Sequence, residues 1–466
     1  MVFSSLTFLY GFLTLVLVFS FLLPKRARWQ NLLLLLVSLF FYGWGEPVYV
    51  GIMLLSILID YSHGLLVERC RADDRKARWF VGQSVVFNLL LLGFFKYWDF
   101  LAENLSLLPG ISLPKLGLPL PLGISFFTFQ TMSYTIDVYR RDAPVQRNPV
   151  DFGAFVTLFP QLIAGPIVKY KTVAQDLQAR VMTSKDFAEG ACQFTIGLAK
   201  KVLLANPAGE LWQSCRTAQA MGTLTVTGGW MGLFAFGLQL YFDFSGYSDM
   251  AIGLGRIFGF HFEENFDHPY CAQSVGEFWR RWHMSLTSWF REYLYFPLGG
   301  SRRGTWKTLR NLVIVWFCTG LWHGASWNFI LWGLYFAFWL ILERFLLQGL
   351  LERTPSLIKR VYTILAVFLG WGLFAIEDLG ICGQYLRVCF GGGGLWSAAD
   401  GFRLRSYAAL LVLLVLGATP LALQVWGRLP ERARRVLTPV LMLLGLTLST
   451  AYLVDGSYNP FLYFRF

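Results

Sequence analysis

Apolar residues run through this chain in stretches too long and too uniform for the amphipathic helices of a soluble protein. A hydrocarbon core of ~30 Å needs about 20 largely apolar residues per helix, or fewer where a helix is bent or re-entrant. Segments 4–23, 31–45, 48–66, 80–100, 119–138, 187–205, 224–243, 309–321, 325–346, 361–377, 406–426 and 436–454 qualify, with 31–45 and 309–321 short enough to be half-spans. The pattern predicts an all-α polytopic membrane protein of roughly 11–13 transmembrane or re-entrant helices. It reads as one domain over 1–466, with N-terminal helices in 1–148, a core in 149–346 and C-terminal helices in 347–466.

The polar positions between these runs carry a second signal. Loop 24–30 holds three basic residues, loop 67–79 five and loop 139–148 three, whereas the turn at Glu46-Pro47 has none and loop 101–118 has only Lys115. Such alternation is the positive-inside bias of a chain whose N-terminus lies outside. Four arginines in loop 427–435 put that loop on the cytoplasmic side and the C-terminus outside. The first run, Ser4 to Leu23, is expected to be an anchor: its positive charges follow the apolar stretch instead of preceding it, unlike a secretory signal.

Composition narrows the class. Apolar residues make up 55% of the chain, aromatic residues 17% and charged residues 15%, against about 25% charged in soluble proteins. Too little polar surface is available for a soluble fold, and disorder, collagen-like repeats and secreted disulfide scaffolds are excluded as well. The net charge of +12 is accounted for by basic loops, so nucleic acid is not an expected partner; the lipid bilayer is. Seven cysteines without a C-x-x-C pair indicate neither a zinc site nor a disulfide framework, and no metal is expected.

Candidate chemistry concentrates in the middle of the chain. The stretches 159–166 and Tyr241 to Asp249 combine Gly, Pro and carboxylates with aromatics and are expected to be broken, re-entrant elements, tolerated at membrane depth only inside protein or along a cavity. Residues 277–296 show an aromatic stripe (Phe278, Trp282, Leu286, Trp289, Tyr293) opposite Arg280, Arg281, Arg291 and Glu292. That spacing predicts one amphipathic helix in the membrane interface, with His283 at the edge of the stripe. His323 stands between two apolar runs in Thr319-Gly320-Leu321-Trp322-His323-Gly324-Ala325. An ionisable group at that depth is a functional hypothesis by default, and an imidazole can take and return a proton near neutrality. Nucleotide, zinc-protease and serine-hydrolase motifs are missing from the sequence.

Nine stretches stand out together: Met1-Val2-Phe3-Ser4-Ser5, Pro121 to Phe126, YTIDVYR (134–140), LIAGP (162–166), YFDFSGYSDMAIGLG (241–255), ENF (264–266), EFWRRWH (277–283), LWHGASW (321–327) and NPFLYFRF (459–466). Through them the sequence closely resembles the membrane-bound O-acyltransferase superfamily and, within it, the bacterial alginate O-acetylase group. The resemblance implies a many-helix bundle around a central tunnel and an acyl-transfer enzyme whose histidine matches His323, with a second active-site position at His283. Asp243, Ser245, Asp249, Asn265, Trp279, Arg281 and Trp322, drawn from the same motifs, are candidates for substrate binding or support. On this reading His323 is the base or proton shuttle, and His283 orients the acceptor or donates to the developing oxyanion.

The resemblance further implies no bound cofactor. Acetyl-CoA or another acyl thioester would be the cytoplasmic donor, the location would be the inner membrane, and a periplasmic acetyltransferase would be a partner. Alginate is the expected polymer; cellulose, peptidoglycan or D-alanyl transfer to teichoic acid are the alternatives, since Gln161 stands where alginate enzymes are expected to carry a histidine. Outside the class, the alternatives are a non-catalytic polysaccharide or lipid transporter and a scaffold for a periplasmic transferase.

Overall fold

The computed structural model describes residues 1–163, 165–456 and 458–460. All regular structure among them is helical. Contacts divide the chain into two compact units, 1–194 with 247–263 and 195–246 with 264–466. Five helices among the described residues are long and apolar enough to cross a membrane: Val50–Arg69, Asp74–Leu105, Trp327–Arg353, Ser356–Ala375 and Glu431–Asp455. The last buries only Ser449 of its own residues, so its apolar surface requires lipid. The expected span 406–426 is not one straight helix. It is the pair Ala408–Gly417 and Leu421–Arg428, bent by 72° at Thr419-Pro420, where proline lacks the backbone donor that continuation needs.

In the first unit, Val50–Arg69 and Asp74–Leu92 form a hairpin whose second helix starts where the Asp73 side chain accepts from the Lys76 backbone N–H. Helix Ile124–Arg140 packs against both. Between the three lies a buried polar cluster. Asp60 accepts from Ser84 Oγ at 2.5 Å and from Asn88 Nδ2 at 2.8 Å, and Asn88 Oδ1 accepts from Thr131 Oγ1 at 3.2 Å. All four side chains are fully buried. The segment around 159 is broken, as its prolines suggest: Pro149–Thr157 ends at Leu158, and a single turn, Phe159–Leu162, follows. Ala164 of the LIAGP motif lies outside the described residues.

In the second unit a core of aromatic side chains, including Tyr241, Tyr270, Phe278, Trp279, Trp282, Trp316, Trp332 and Trp371, gathers helices from distant parts of the sequence. Two expectations are corrected. Residues 241–249 are not a break: they lie inside one continuous helix, Val226–Ile257. Gly246 there permits close packing, since a Cβ would stand 2.7 Å from the Gly197 carbonyl oxygen. Conversely, 277–296 is not one helix. Val275–Arg281 and Met284–Phe290 are separated by Trp282 and His283, the latter left-handed at φ 45°. The aromatic stripe is nonetheless buried, and it packs on protein: Trp282 meets Trp371 at 4.9 Å and Phe278 meets Trp371 at 6.2 Å.

Candidate active site

His323 is the last residue of helix Thr305–His323, which stops because Gly324 is extended. The next helix begins at Trp327 and runs back along the first. Gly320 makes that approach possible: a Cβ would lie 2.4 Å from the Phe329 carbonyl oxygen. The imidazole is thereby walled by aromatics, with ring centroids 5.0 Å from Trp322, 4.9 Å from Trp332 and 5.2 Å from Phe374. The C-terminal end of a helix also places carbonyl dipoles where they favour positive charge developing on the ring.

His283 is held by Asn265. The Asn265 backbone carbonyl accepts from Met284 N–H at 3.0 Å. Its side-chain Oδ1 accepts from Ser285 N–H at 3.1 Å and Ser285 Oγ at 2.9 Å, with His283 Nδ1 at 3.2 Å. These contacts hold the backbone in a conformation that most residue types avoid. They also fit one tautomer. The Ser285 backbone N–H can only donate, so the Asn265 atom facing it is the oxygen, and Nδ1–H is the form of His283 that makes the contact to that oxygen a hydrogen bond, with the Ser285 hydroxyl 3.4 Å from the same nitrogen. Nε2 then presents a lone pair, and it has no hydrogen-bond partner among the described residues.

Both histidines line one cavity of about 150 Å³, together with Trp279, Trp282, Leu286, Thr287, Thr319 and Arg291, among others. A void of this size accepts a molecule about as large as benzene. Trp322 contacts both imidazoles, at 5.8 Å from His283 and 5.0 Å from His323. Of the residues singled out from sequence, the structure therefore brings together His283, His323, Trp279, Trp322 and, through His283, Asn265.

The others lie elsewhere. Asp243 is buried in an ion pair with Lys201 at 2.7 Å. Ser245 is buried outside the cavity lining. Asp249 is half-buried in the first unit. Arg281 is a surface residue paired with Glu277 at 2.8 Å and Asp267 at 3.6 Å. Ser285 and Thr319 were not anticipated. Thr319 stands one helical turn before His323 and so shares its face; Ser285 has no comparable local signal.

The matching family is MBOAT, the membrane-bound O-acyltransferase family, whose model covers residues 140–382. The chain is 41% identical over 408 residues to the probable alginate O-acetylase AlgI of Azotobacter vinelandii, covering 86% of this chain and 80% of that protein. It is 38% identical to the corresponding protein of Pseudomonas putida over the full length of both. To the peptidoglycan O-acetyltransferase of Helicobacter pylori it is 33% identical, over 85% of this chain and 81% of that one. The chain belongs to the membrane-bound O-acyltransferase family. It is a polytopic membrane enzyme that transfers acyl groups to oxygen.

Proposed function

We propose that this enzyme carries the membrane step of exopolysaccharide O-acetylation, taking an acetyl group from a thioester at the cytoplasmic face and passing it outward. The observation that carries the reading is the single small cavity shared by His283 and His323 in a chain of this family. His323 takes the proton of the acceptor hydroxyl as its oxygen attacks the acetyl carbonyl carbon. When the tetrahedral intermediate collapses, the C–S bond breaks and His323 returns the proton to the departing thiolate.

The tautomer of His283 suits it to a different task from donating to an oxyanion. With Nδ1–H directed at Asn265, the neutral ring offers Nε2 as an acceptor. It thus aligns the acceptor O–H; it can donate into the cavity only after gaining a proton.

A groove of about 810 Å³ supports the route of the donor. It shares Leu312 with the histidine cavity and is bounded by the segment 344–360, which carries Arg344, Arg353, Lys359 and Arg360, the signature of a cytoplasmic loop. Arg280, Arg344 and Lys359 line it together with Glu277, Glu343 and Glu352, and Glu277 is already paired with Arg281 at 2.8 Å. Glu343 in the same wall is engaged by the Val275 and Gly276 N–H groups. The groove thus offers cations to the phosphates of an acyl thioester such as acetyl-CoA.

Relatives named probable alginate O-acetylase support alginate as the polymer. Delivery to a polymer outside the inner membrane then calls for a periplasmic acetyltransferase as partner. The test is transfer of labelled acetyl from acetyl-CoA by the purified protein, with release of free CoA dependent on acceptor. His323→Ala is expected to abolish it while the protein stays folded in the membrane. Wild-type acetylation by that variant would overturn the assignment.

A further inference from the structure

The YFDFSGYSD and NPFLYFRF motifs are not explained by the cavity, yet the structure joins them. Lys201 and Asp243 are 2% and 1% exposed, with Nζ and Oδ1 2.7 Å apart. An ammonium has three hydrogens to place. Here Asn206 Oδ1 at 2.9 Å and the backbone carbonyl of Pro460 accept from it, and the Asp243 carboxylate beside it balances its charge. Asn206 Nδ2 also donates to Asn459 Oδ1 at 3.3 Å, and Gly209 leaves room for the Tyr458 hydroxyl, which would stand 2.8 Å from a Cβ there. Residues 458–460 are thus seated on Lys201 by specific contacts; residues 461–466 lie outside the described ones.

Asp243 is followed by Phe244, whose ring meets the His283 imidazole edge-on at 4.6 Å and Phe266 at 5.0 Å. Phe266 in turn follows Asn265, the residue that holds His283. Phe244 therefore touches both the imidazole and the segment that clamps it. We infer that Lys201, Asp243 and the docked residues 458–460 are positioning residues for His283: the Pro460 carbonyl completes the acceptors around the Lys201 ammonium, the ammonium fixes Asp243, and Phe244 holds the ring. This rests on the reading of His283 as the group that aligns the acceptor.

The experiment replaces the charged pair in the full-length chain by a neutral one, Lys201→Met with Asp243→Asn. Two quantities are read: kcat against donor KM, and the rate at which diethyl pyrocarbonate modifies His283, followed by peptide mass spectrometry. The expected result is a fall in kcat of about tenfold with KM unchanged, and a severalfold change in His283 modification. In a His283→Asn background the same pair should cost no further activity, the signature of action through one group. Wild-type kcat and modification rate in the folded double variant would overturn the inference, as would a full multiplicative loss in the His283→Asn background. Should the double variant fail to fold, Phe244→Leu removes the edge contact without touching the charges; unchanged His283 modification there overturns it equally. Because the modification rate is independent of turnover, it separates failure of this inference from failure of the proposed role of His283.

Discussion

Two places in this protein put ionisable side chains where water is scarce, and they treat them oppositely. At the Asp60 cluster both carboxyl oxygens accept from the neighbouring helix Asp74–Leu92, and the donors are themselves tied in turn. At the histidine cavity the partner is given to one nitrogen of His283, and Nε2 has no hydrogen-bond partner among the described residues. Burial alone therefore does not mark a functional group in an apolar interior. What distinguishes the cavity is an atom of known hydrogen-bonding character held rigidly without a protein partner, beside a volume that a small molecule can fill.

This contrast can be broken by experiment. The largest effect is expected from His323→Ala, a loss of roughly 10²–10⁴ in kcat with normal abundance in the membrane, measured as CoA release by purified protein. Asn265→Ala should follow, lowering kcat on the order of 10²-fold as His283 loses its orientation, with donor KM unchanged. Asp60→Ala should behave in the opposite manner. It removes the carboxylate that Ser84 and Asn88 share, leaving each with its other contact only, at about 1–3 kcal/mol for each hydrogen left unsatisfied, seen as a lower melting temperature while turnover per folded molecule is retained. A kcat defect in folded Asp60→Ala would erase the distinction between the two regions. The smallest effect belongs to the groove: Arg344→Gln or Lys359→Gln should raise the donor KM up to about fivefold, without altering kcat.

Most of the membrane architecture could be read from apolar run length, because lipid imposes it locally. The helix Val50–Arg69 occupies the expected segment 48–66, and Glu431–Asp455 contains 436–454. His323 was equally visible, since an ionisable residue between two apolar runs needs no partner to be noticed. The break at His283 was not. Its cause is Asn265, 18 residues away, and nothing between 277 and 291 records that contact. Residues 241–249 misled in the other direction. Glycine and aspartate weaken a helix on average, but here Gly246 meets another backbone and Asp243 meets Lys201, both supplied by a separate segment. Local pattern thus singled out the two histidines that share the cavity, while the geometry around them depends on long-range partners.

The left-handed backbone at His283 has a practical corollary. Position 283 admits few residue types without strain, and glycine, which has no Cβ, adopts φ 45° freely. His283→Gly should therefore leave the turn and the Asn265 contacts to the backbone intact while opening a ring-sized void beside the cavity. Free imidazole added to that variant should enter the void and restore part of the lost turnover, saturating with concentration. The protein would then be operating with a diffusible side chain.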